Sequence, residues 1–592
     1  MTSHQHIICP LLDTSISDSQ NLFLGDQDRV HVRIVPYMQK SFDVIVVGAG
    51  SAGCIVARRL SENLHCRVLL LEAGTDPGPL ETPDIRHPYP LSAYDASLQW
   101  PGLKGRVVDG PDHRVARIPQ GRLVGGSSAI NAMVAMRGVA ADYDEWHAAG
   151  ASGWAWEDVE PAFRKLESAQ PAGHCDDAGS IAVARQPRST DRPLSNALLQ
   201  TWGEAGWQRI EDPNSDFRDG CFIQPMSIDA LGRCSANRAY LGEHTRARRN
   251  LEVLPGARCL RVKLEGTRVQ GVDIEVNGEL REVAAPQVFL CAGALQTPAI
   301  LLRSGVGDAA TLQRLGIRIA APLPAVGRNL QNHGAIPLGV SLRGRTTLPP
   351  HLPTAHAALR LSSGEHPSSG DTYFSVWDRA AWHAAGGHIA VLNVVLHRPL
   401  SAGSVTLSSA DPAQAPVVNF NMLDHPSDVR RLALAVRKAL DFLDSASVRA
   451  IRDEVGLVKM GRAASWMGMR TPWTRAASGA LGSAAWVSPR LLRPLHPLAL
   501  KPLPLPFLAG VDDAGACAAL RSALALQYHQ VGTCAMGTSE FDSVTAPNGS
   551  VHGVIGLHVA DASALPAVPR ANTNLPVMMA AERISAMFIN RN

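Results

Sequence analysis

The chain has 592 residues, of which 45% are hydrophobic and 18% are charged, and its formal net charge at pH 7 is +3. At roughly 150 residues per domain, this length predicts two to four domains and a large hydrophobic core. Because the Lys and Arg residues are spread along the chain, the composition excludes a basic surface for nucleic acid.

The ten cysteines include no CxxC pair and no Cys/His cluster at metal-ligand spacing, so neither a disulfide framework nor a metal site is indicated. We therefore expect reduced cysteines and a cytoplasmic protein. The N-terminal residues lack the basic start, apolar run and small-residue cleavage site of a secretory signal. No run is suited to cross a bilayer, since the nearest candidate, Leu481–Gly510, is broken by basic residues and prolines.

Residues 1–40 are mostly polar and show no clear periodicity. We interpret them as a disordered extension, or as residues upstream of a true start at Met38.

The first strong pattern predicts a βαβ unit. Phe42–Val47 and Arg67–Leu71 read as buried strands, and a GxGxxG turn between them opens a helix. In such a turn the first glycine allows the tight bend, the second lets backbone approach a pyrophosphate, and the third lets helix and strand pack closely. Glu72 follows at the position of an acid that binds ribose hydroxyls. The pattern predicts a dinucleotide, FAD or NAD, with these contacts: Gly48, Gly50, Ser51, Ala52, Gly53, Glu72 and Ala73.

The segment Gly121–Asp144 has small residues that would let backbone approach a flat ring system, and an amide, Asn131, that could reach the ring. On its own it could be a Gly/Ser loop before a helix. The segment resembles the first signature of the glucose–methanol–choline (GMC) oxidoreductases, which bind FAD. The resemblance lies in its GR, its GGSS, Asn131, Gly138 and Asp144. The resemblance places five residues at the cofactor: Arg122, Gly126, Ser127, Asn131 and Val134.

Two further segments resemble the same family. Val288–Gly307 matches its second signature and predicts a strand, a glycine turn and a helix. The run 326–334 (VGRNLQNHG) is also similar, although Asn332 replaces a residue that is commonly acidic. Some members attach the flavin through a histidine at the position of Ile130, so we expect noncovalent FAD here.

Residues 250–280 alternate apolar and polar positions and predict a β-meander beside the cofactor domain. In the family this region touches the adenine, and Cys259 stands where valine is usual, which we interpret as a packing contact. Residues 141–166 predict helix broken by glycines.

The resemblance implies an α/β fold, α+β overall, in which a doubly wound Rossmann-type FAD domain carries an inserted antiparallel-sheet substrate domain. Residues 41–334 would be mainly FAD-binding, 335–524 mainly substrate-binding, and 525–592 a catalytic segment that returns to the FAD domain. Residues 397–423 are assigned to the antiparallel sheet over the flavin. The Trp-, Pro- and Leu-rich section 451–510 is interpreted as a lid and cavity wall, with a peripheral membrane or partner contact as the alternative.

The C-terminal part carries the candidate catalytic pair. Removing a hydride from an alcohol carbon requires a base near the hydroxyl, and histidine suits this role because its pKa lies near working pH. By resemblance, His529 occupies the family's base position and Asn572 the second position, where an amide can orient the substrate oxygen. The implied mechanism transfers hydride to flavin N5, and further implied cofactor contacts are Asp561, Ala562 and Thr573. His552 and His558 are interpreted as structural.

Two segments, ADYDEWHAAGASGWAW and VPRANTNLPVMMAAER, are most similar to bacterial family members that oxidise 5-hydroxymethylfurfural and aryl alcohols. The resemblance therefore implies FAD-dependent oxidation of a primary aromatic or furanic alcohol to the aldehyde, with oxygen as acceptor. A choline-type dehydrogenase that uses a quinone or another acceptor stays open, as does a hydroxynitrile lyase of the same fold. We expect no metal and no nucleic-acid partner, and the oligomeric state is open.

Overall fold

A five-stranded parallel sheet lies under the candidate cofactor site. Its strands, in spatial order, are Leu251–Pro255, Val68–Glu72, Val44–Val47, Gln287–Leu290 and Leu557–Val559. Every residue of Val44–Val47 and Val68–Glu72 is buried, as expected for strands of a parallel sheet. Because the last strand comes from near the C-terminus, both ends of the chain build this sheet.

The computed structural model describes residues 35–36, 41–109, 114–167, 175–186, 192–343, 352–382, 384–459, 471–474, 476–477, 479–480, 499–504 and 514–591. The predicted extension at 1–40 lies outside the described residues except for 35–36, and more than half of the predicted lid and cavity wall at 451–510 lies outside them as well. None of the helices within these ranges is long and apolar enough to span a bilayer.

Two long helices meet beside the parallel sheet. Ser51–Leu60 follows the first strand, and Asn574–Ile589 packs against it from the C-terminal end. Other α-helices in the described ranges are Pro83–Arg86, Ala140–Ala148, Trp156–Leu166, Pro193–Glu204, Ala236–Tyr240, Glu243–Arg246, Gly293–Arg303, Ala309–Arg314, Pro426–Leu443, Ala446–Ile451 and Ala514–Ala523.

An eight-stranded antiparallel sheet forms the second layer. Its strands are Gly220–Ile223, Gly334–Leu342, Ala355–Leu361, Thr372–Trp377, Ile389–Leu396, Arg452–Val458, Leu500–Lys501 and Ala525–Leu526. On one face, alternate residues such as Leu392 and Val394 pack into a core that includes the helix Pro426–Leu443. The opposite face carries Val391 and Asn393, which line the cavity described below.

These layers confirm the predicted fold class, a mixed α/β chain with a parallel sheet and an antiparallel sheet. One assignment within it is wrong. Ser404–Thr406 and Val417–Asn419, from the segment 397–423, pair with Lys104–Arg106 and Val115–Arg117 in a separate four-stranded sheet. The short strands of this segment carry the right alternation, but alternation does not reveal which sheet a strand joins.

The predicted meander is present as Ala257–Glu265, Arg268–Val276 and Glu279–Ala284, joined by antiparallel pairing. The residues just before it behave differently, because Leu251–Pro255 pairs in parallel with Val68–Glu72 and extends the cofactor sheet.

The expectation that the cysteines carry no disulfide is wrong for one pair. Cys175 and Cys234 are disulfide-bonded, with their Cα atoms 6.2 Å apart. They are separated by 59 residues, so their pairing could not be read from local spacing. Seven further cysteines in the described ranges are free thiols.

Candidate active site

A cavity of about 1000 Å³ runs from the edge of the parallel sheet to the cavity-facing side of the antiparallel sheet. It brings together sixteen of the eighteen residues singled out from the sequence: Gly48, Gly50, Ser51, Ala52, Glu72, Ala73, Gly126, Ser127, Asn131, Val134, Cys259, His529, Asp561, Ala562, Asn572 and Thr573. Gly53 and Arg122 do not line it.

Glycine is required where two backbone segments cross at the cofactor cradle. A Cβ on Gly53 would lie 1.8 Å from the carbonyl oxygen of Gly48, so the helix could not pack this closely on the turn. Gly126 has a φ of 52°, and a Cβ there would lie 2.6 Å from the Cα of Gly50. The turn and the Gly/Ser loop thus leave bare backbone along the cavity wall.

The N-termini of two helices meet at this wall. Ser51 begins the helix after the glycine turn, and its hydroxyl donates to the side-chain oxygen of Asn574, which begins the C-terminal helix, at 2.7 Å. Helix N-termini present free N–H groups and a positive dipole end, which suit a pyrophosphate.

Glu72 is positioned by the turn that it faces. One of its carboxylate oxygens accepts from the backbone N–H of Ala49 at 3.0 Å and the other from Gly74 at 2.9 Å. Burial raises the pKa of Glu72 to about 7. A carboxyl group fixed in this way at the cavity wall can still accept hydrogen bonds through its remaining lone pairs.

Arg122 holds the cavity-lining residue Ala73 in place from outside the cavity. Its Nε donates to the carbonyl oxygen of Ala73 at 3.1 Å, and its guanidinium lies over the ring of Trp100, 5.3 Å from the centroid. Cys259 is buried on the same side, and burial raises the pKa of its thiol, so it is placed as an inert packing group.

Asn131 is held by its side-chain oxygen, which accepts from Arg233 Nη1 at 2.7 Å and from the backbone N–H of Met133 at 3.0 Å. Arg233 is fully buried, and burial lowers the pKa of its guanidinium to about 10. This anchoring turns the loop after the Gly/Ser run toward the cavity.

Asp561 lines the cavity, and its carboxylate is bound within the protein. One of its carboxylate oxygens accepts from the backbone of Gly293 at 2.7 Å and the hydroxyl of Thr297 at 2.5 Å. The other accepts from the backbone N–H of Ser563 at 2.8 Å and from its hydroxyl at 2.5 Å. With four donors inside the protein, the Asp561 carboxylate mainly fixes the turn that lines the cavity.

These features fit FAD. The elongated cavity combines bare glycine backbone, two helix N-termini for a pyrophosphate, and a fixed acid where a ribose would lie. Ile130 lines the cavity and packs with Ile85, Leu123 and Ala129. An isoleucine side chain cannot form a covalent bond to a flavin.

The candidate catalytic pair lies in the same cavity. Asn572 Nδ2 is 3.0 Å from His529 Nε2, although the two residues are far apart in the sequence. The backbone N–H of His529 donates to the side-chain oxygen of Asn332 at 2.7 Å. The amide oxygen of Asn332 therefore accepts the hydrogen bond that the carboxylate of an acidic residue could also accept.

The other nitrogen of His529 contacts a histidine that sequence reasoning missed. His333 Nδ1 lies 2.9 Å from His529 Nδ1, and His333 Nε2 lies 2.9 Å from the carbonyl oxygen of His397. A carbonyl oxygen only accepts, so His333 Nε2 carries the proton and, in the neutral ring, His333 Nδ1 is the acceptor. His529 Nδ1 must then donate, which leaves the lone pair of His529 on Nε2, facing Asn572.

Burial reinforces this neutral state. Loss of solvent lowers the pKa of His529 to about 4, and it lowers the pKa values of His333 and His397 well below their ordinary range. At neutral pH the three rings are uncharged, and His529 is in the form that can accept a proton. The sequence run VGRNLQNHG contained His333, but only the fold shows that it meets His529.

An ion-pair network, fully buried at Arg570 and Asp142, supports both sides of the pair. Arg570, two residues before Asn572, pairs with Asp142 at 3.0 Å and Glu145 at 2.6 Å. Glu145 also pairs with Arg398, the neighbour of His397. One carboxylate thus connects the segment that holds Asn572 with the segment that anchors the histidine chain.

Two family models, both described as GMC oxidoreductase, match residues 42–335 and 399–581 of the chain.

Similar proteins of known name extend over nearly the whole chain. A 5-(hydroxymethyl)furfural oxidase from Methylovorus sp. (strain MP688) is 35% identical over 575 residues, covering 93% of this chain and 99% of that protein. An oxygen-dependent choline dehydrogenase from Photobacterium profundum is 29% identical over 584 residues, covering 92% of each. The crystal structure of pyridoxine 4-oxidase from Mesorbium loti matches with a TM-score of 0.77 at 25% identity, covering 93% of this chain and 100% of that one.

Proposed function

The chain belongs to the GMC oxidoreductase family of FAD-dependent enzymes, and on this basis we propose that it oxidises a primary alcohol on an aromatic or furan ring to the aldehyde. The observation that carries the proposal is the 3.0 Å contact between His529 Nε2 and Asn572 Nδ2 inside the cavity. The similarity to a 5-(hydroxymethyl)furfural oxidase supports the ring alcohol as substrate class.

The residues that would hold FAD are the glycine turn, Glu72, the loop around Asn131, and the segment from Asp561 to Asn574. When bound there, FAD supplies the acceptor for the hydride of the alcohol carbon, and dioxygen then takes the two electrons and two protons to give hydrogen peroxide. Ile130 in the flavin loop supports noncovalent attachment, which release of the flavin on acid precipitation would test.

His529 Nε2 accepts the hydroxyl proton. Because its pKa is lowered to about 4, it is too weak a base to deprotonate an alcohol in advance. The proton therefore moves to His529 as the C–H bond breaks. His529 Nδ1 keeps its own proton on the hydrogen bond to His333, so the imidazolium that forms has a partner on that side.

Asn572 positions the substrate oxygen. Its amide lies beside the lone pair of His529 and can donate to an oxygen on which negative charge develops. His529 lines the cavity, so a bound alcohol can displace water from the same lone pair.

The lining of the cavity favours a neutral alcohol over a cationic one such as choline. Among the described lining residues, only Glu72 and Asp561 are acidic, and both are bound to backbone N–H groups at the cofactor cradle. A quaternary ammonium group would find aromatic faces there but no free carboxylate in the described part of the wall. The Lys and Arg side chains that line the same cavity would repel it: Arg114, Arg258, Arg303, Lys459 and Lys501.

The test is turnover of benzyl alcohol, 5-hydroxymethylfurfural, choline and a cyanohydrin, with oxygen uptake, peroxide, aldehyde and cyanide measured together. The proposal predicts stoichiometric aldehyde and peroxide from the ring alcohols. If turnover requires an added quinone, the electron acceptor is a quinone and not oxygen. Cyanide release without peroxide would identify a lyase. Preferred turnover of choline would refute the substrate class.

A further inference from the structure

The cavity-facing side of the antiparallel sheet carries one amide that the fold does not use. Asn393 lies in the strand Ile389–Leu396, is 9% exposed and lines the cavity. Its side chain has no hydrogen-bond partner within the described residues. An amide that lines a cavity, is nine-tenths buried as a residue and has no partner in the protein is available to a ligand.

The residues that face Asn393 across the sheet do not bond its amide. On one side its cross-strand partner is Pro337, which has no polar side-chain atom and no backbone N–H. On the other side it faces Ser375, whose hydroxyl donates to Gln224 at 3.2 Å. Tyr373 also donates to Gln224, at 3.0 Å. The polar groups of this face are therefore paired with one another, and Asn393 is left out.

The remaining surroundings are apolar or aromatic. Val391 precedes Asn393 on the same face of the strand and lines the cavity, as does Trp377, which is paired across the sheet with Val391. An amide within such a surface gives strong discrimination, because a substrate without a matching group leaves the amide unpaired.

Asn393 lies in the same cavity as the catalytic pair, and the strand that carries it leads toward the histidine chain. His397, whose carbonyl anchors the histidine chain, is four residues further along the same strand direction, about 13 Å from Asn393 in backbone distance. His529 and Asn393 both line this cavity.

We propose that Asn393 is a specificity-determining residue that hydrogen-bonds a neutral polar group on the substrate, at the end of the ring away from the carbon that is oxidised. The substrate class is then a ring alcohol with a second oxygen substituent, a hydroxymethyl or an aldehyde. A neutral amide donates and accepts but offers no countercharge, so it matches these groups better than a carboxylate. This inference rests on the proposed alcohol oxidation and narrows its substrate.

The experiment uses two alcohols that differ by one oxygen atom, 2,5-bis(hydroxymethyl)furan and 5-methylfurfuryl alcohol. Anaerobic flavin reduction by each is measured for the wild-type holoenzyme, for Asn393→Leu, and for the control Val391→Ala, which alters the same wall without removing a polar group. Asn393→Leu should lower kcat/KM for the diol by about 10- to 100-fold and change the methyl compound by less than about threefold. Val391→Ala should change both alcohols by similar factors.

Asn393→Ala serves as a second variant if Asn393→Leu retains no FAD. A readout independent of turnover is the binding of 5-methylfurfural, which has the distal carbonyl and no reacting hydroxyl, followed through the thermal unfolding midpoint. Its stabilising effect should be lost in both Asn393 variants. If the wild type reduces with both alcohols and the variants preserve the ratio, Asn393 has no such role while the proposed function stands. If no alcohol reduces the wild-type flavin, the proposed function itself fails, and this inference with it.

Discussion

The Nδ1 atoms of His333 and His529 lie 2.9 Å apart, and this contact fixes which nitrogen of His529 can accept a proton. Since His333 Nε2 must donate to the carbonyl of His397, His529 is left with its proton on Nδ1 and its lone pair on Nε2. The fold thus selects the tautomer that a base facing Asn572 requires.

Replacing His333 by Phe should lower the limiting rate constant of flavin reduction by about 10- to 100-fold. The ring shape is kept, but His529 Nδ1–H loses its acceptor, at a cost of about 1 to 3 kcal/mol. Because His333 does not contact the substrate, the substrate dissociation constant should stay within about twofold. Rapid-mixing reduction at several alcohol concentrations separates the two constants, and a change in affinity alone would contradict a positioning role.

Replacing His529 by Ala should lower the rate of flavin reduction by about 10² to 10⁴, the range expected for loss of a general base, while FAD remains bound. The matched control is His558→Ala. His558 is another partly buried histidine, stacked on Phe289 and hydrogen-bonded to Gln287 at 3.0 Å, away from the cavity lining. His558→Ala should be less stable than the wild type but should reduce its flavin at the wild-type rate. Equal rates in His529→Ala and the wild type would remove His529 from the mechanism.

The buried histidines predict a loss of stability in mild acid. The pKa of His529 is lowered to about 4 in the folded chain, whereas the pKa of an unfolded histidine is about 6.5. Between these values the unfolded state binds more protons, so stability from this group is complete above about pH 6.5 and falls as the pH drops.

Urea unfolding of the wild type and of His529→Asn near pH 7.5 and near pH 5 measures this contribution. The wild type should lose up to about 2 kcal/mol more than the variant over that interval, at about 1.4 kcal/mol per pH unit below 6.5. Glu72 and Asp561, whose pKa values are raised, contribute stability that increases as the pH falls. Both proteins contain these two groups, so their contribution cancels in the comparison. Parallel losses in the two proteins would show that His529 is not buried in its neutral form.

Replacing Gly53 by Ala should abolish or strongly reduce FAD binding. The added Cβ would lie 1.8 Å from the Gly48 carbonyl oxygen, so the glycine turn must shift. Gly203→Ala is the control, because a Cβ at that helical position has nothing within 4 Å and should leave FAD content unchanged or raise stability by up to about 1 kcal/mol. Flavin absorbance per protein in the purified variants decides the matter, and full flavin content in Gly53→Ala would contradict the packing argument.

The cofactor end of the site could be predicted from the sequence because its determinants are local. The glycine turn, the strand before it and Glu72 lie within one βαβ unit, where spacing fixes geometry. His529 and Asn572 could be proposed only through family resemblance, since no local rule brings residues so far apart in the sequence to 3.0 Å.

The remainder of the site depends on long-range packing. The contact between His333 and His529 requires the strand Gly334–Leu342 to pair with Ala525–Leu526, and alternation alone does not specify strand partners. The same limit explains the wrong sheet for 397–423. The pairing of Cys175 with Cys234 was missed because neither cysteine lies in a motif.

The most direct test of the central claim is the visible spectrum of the purified holoenzyme mixed without oxygen with 2,5-bis(hydroxymethyl)furan and then exposed to air. Our account predicts that the alcohol bleaches the flavin absorbance, that aldehyde forms in equal amount, and that air restores the absorbance with peroxide. A flavin that stays oxidised with this diol, with 5-hydroxymethylfurfural and with benzyl alcohol would contradict the account.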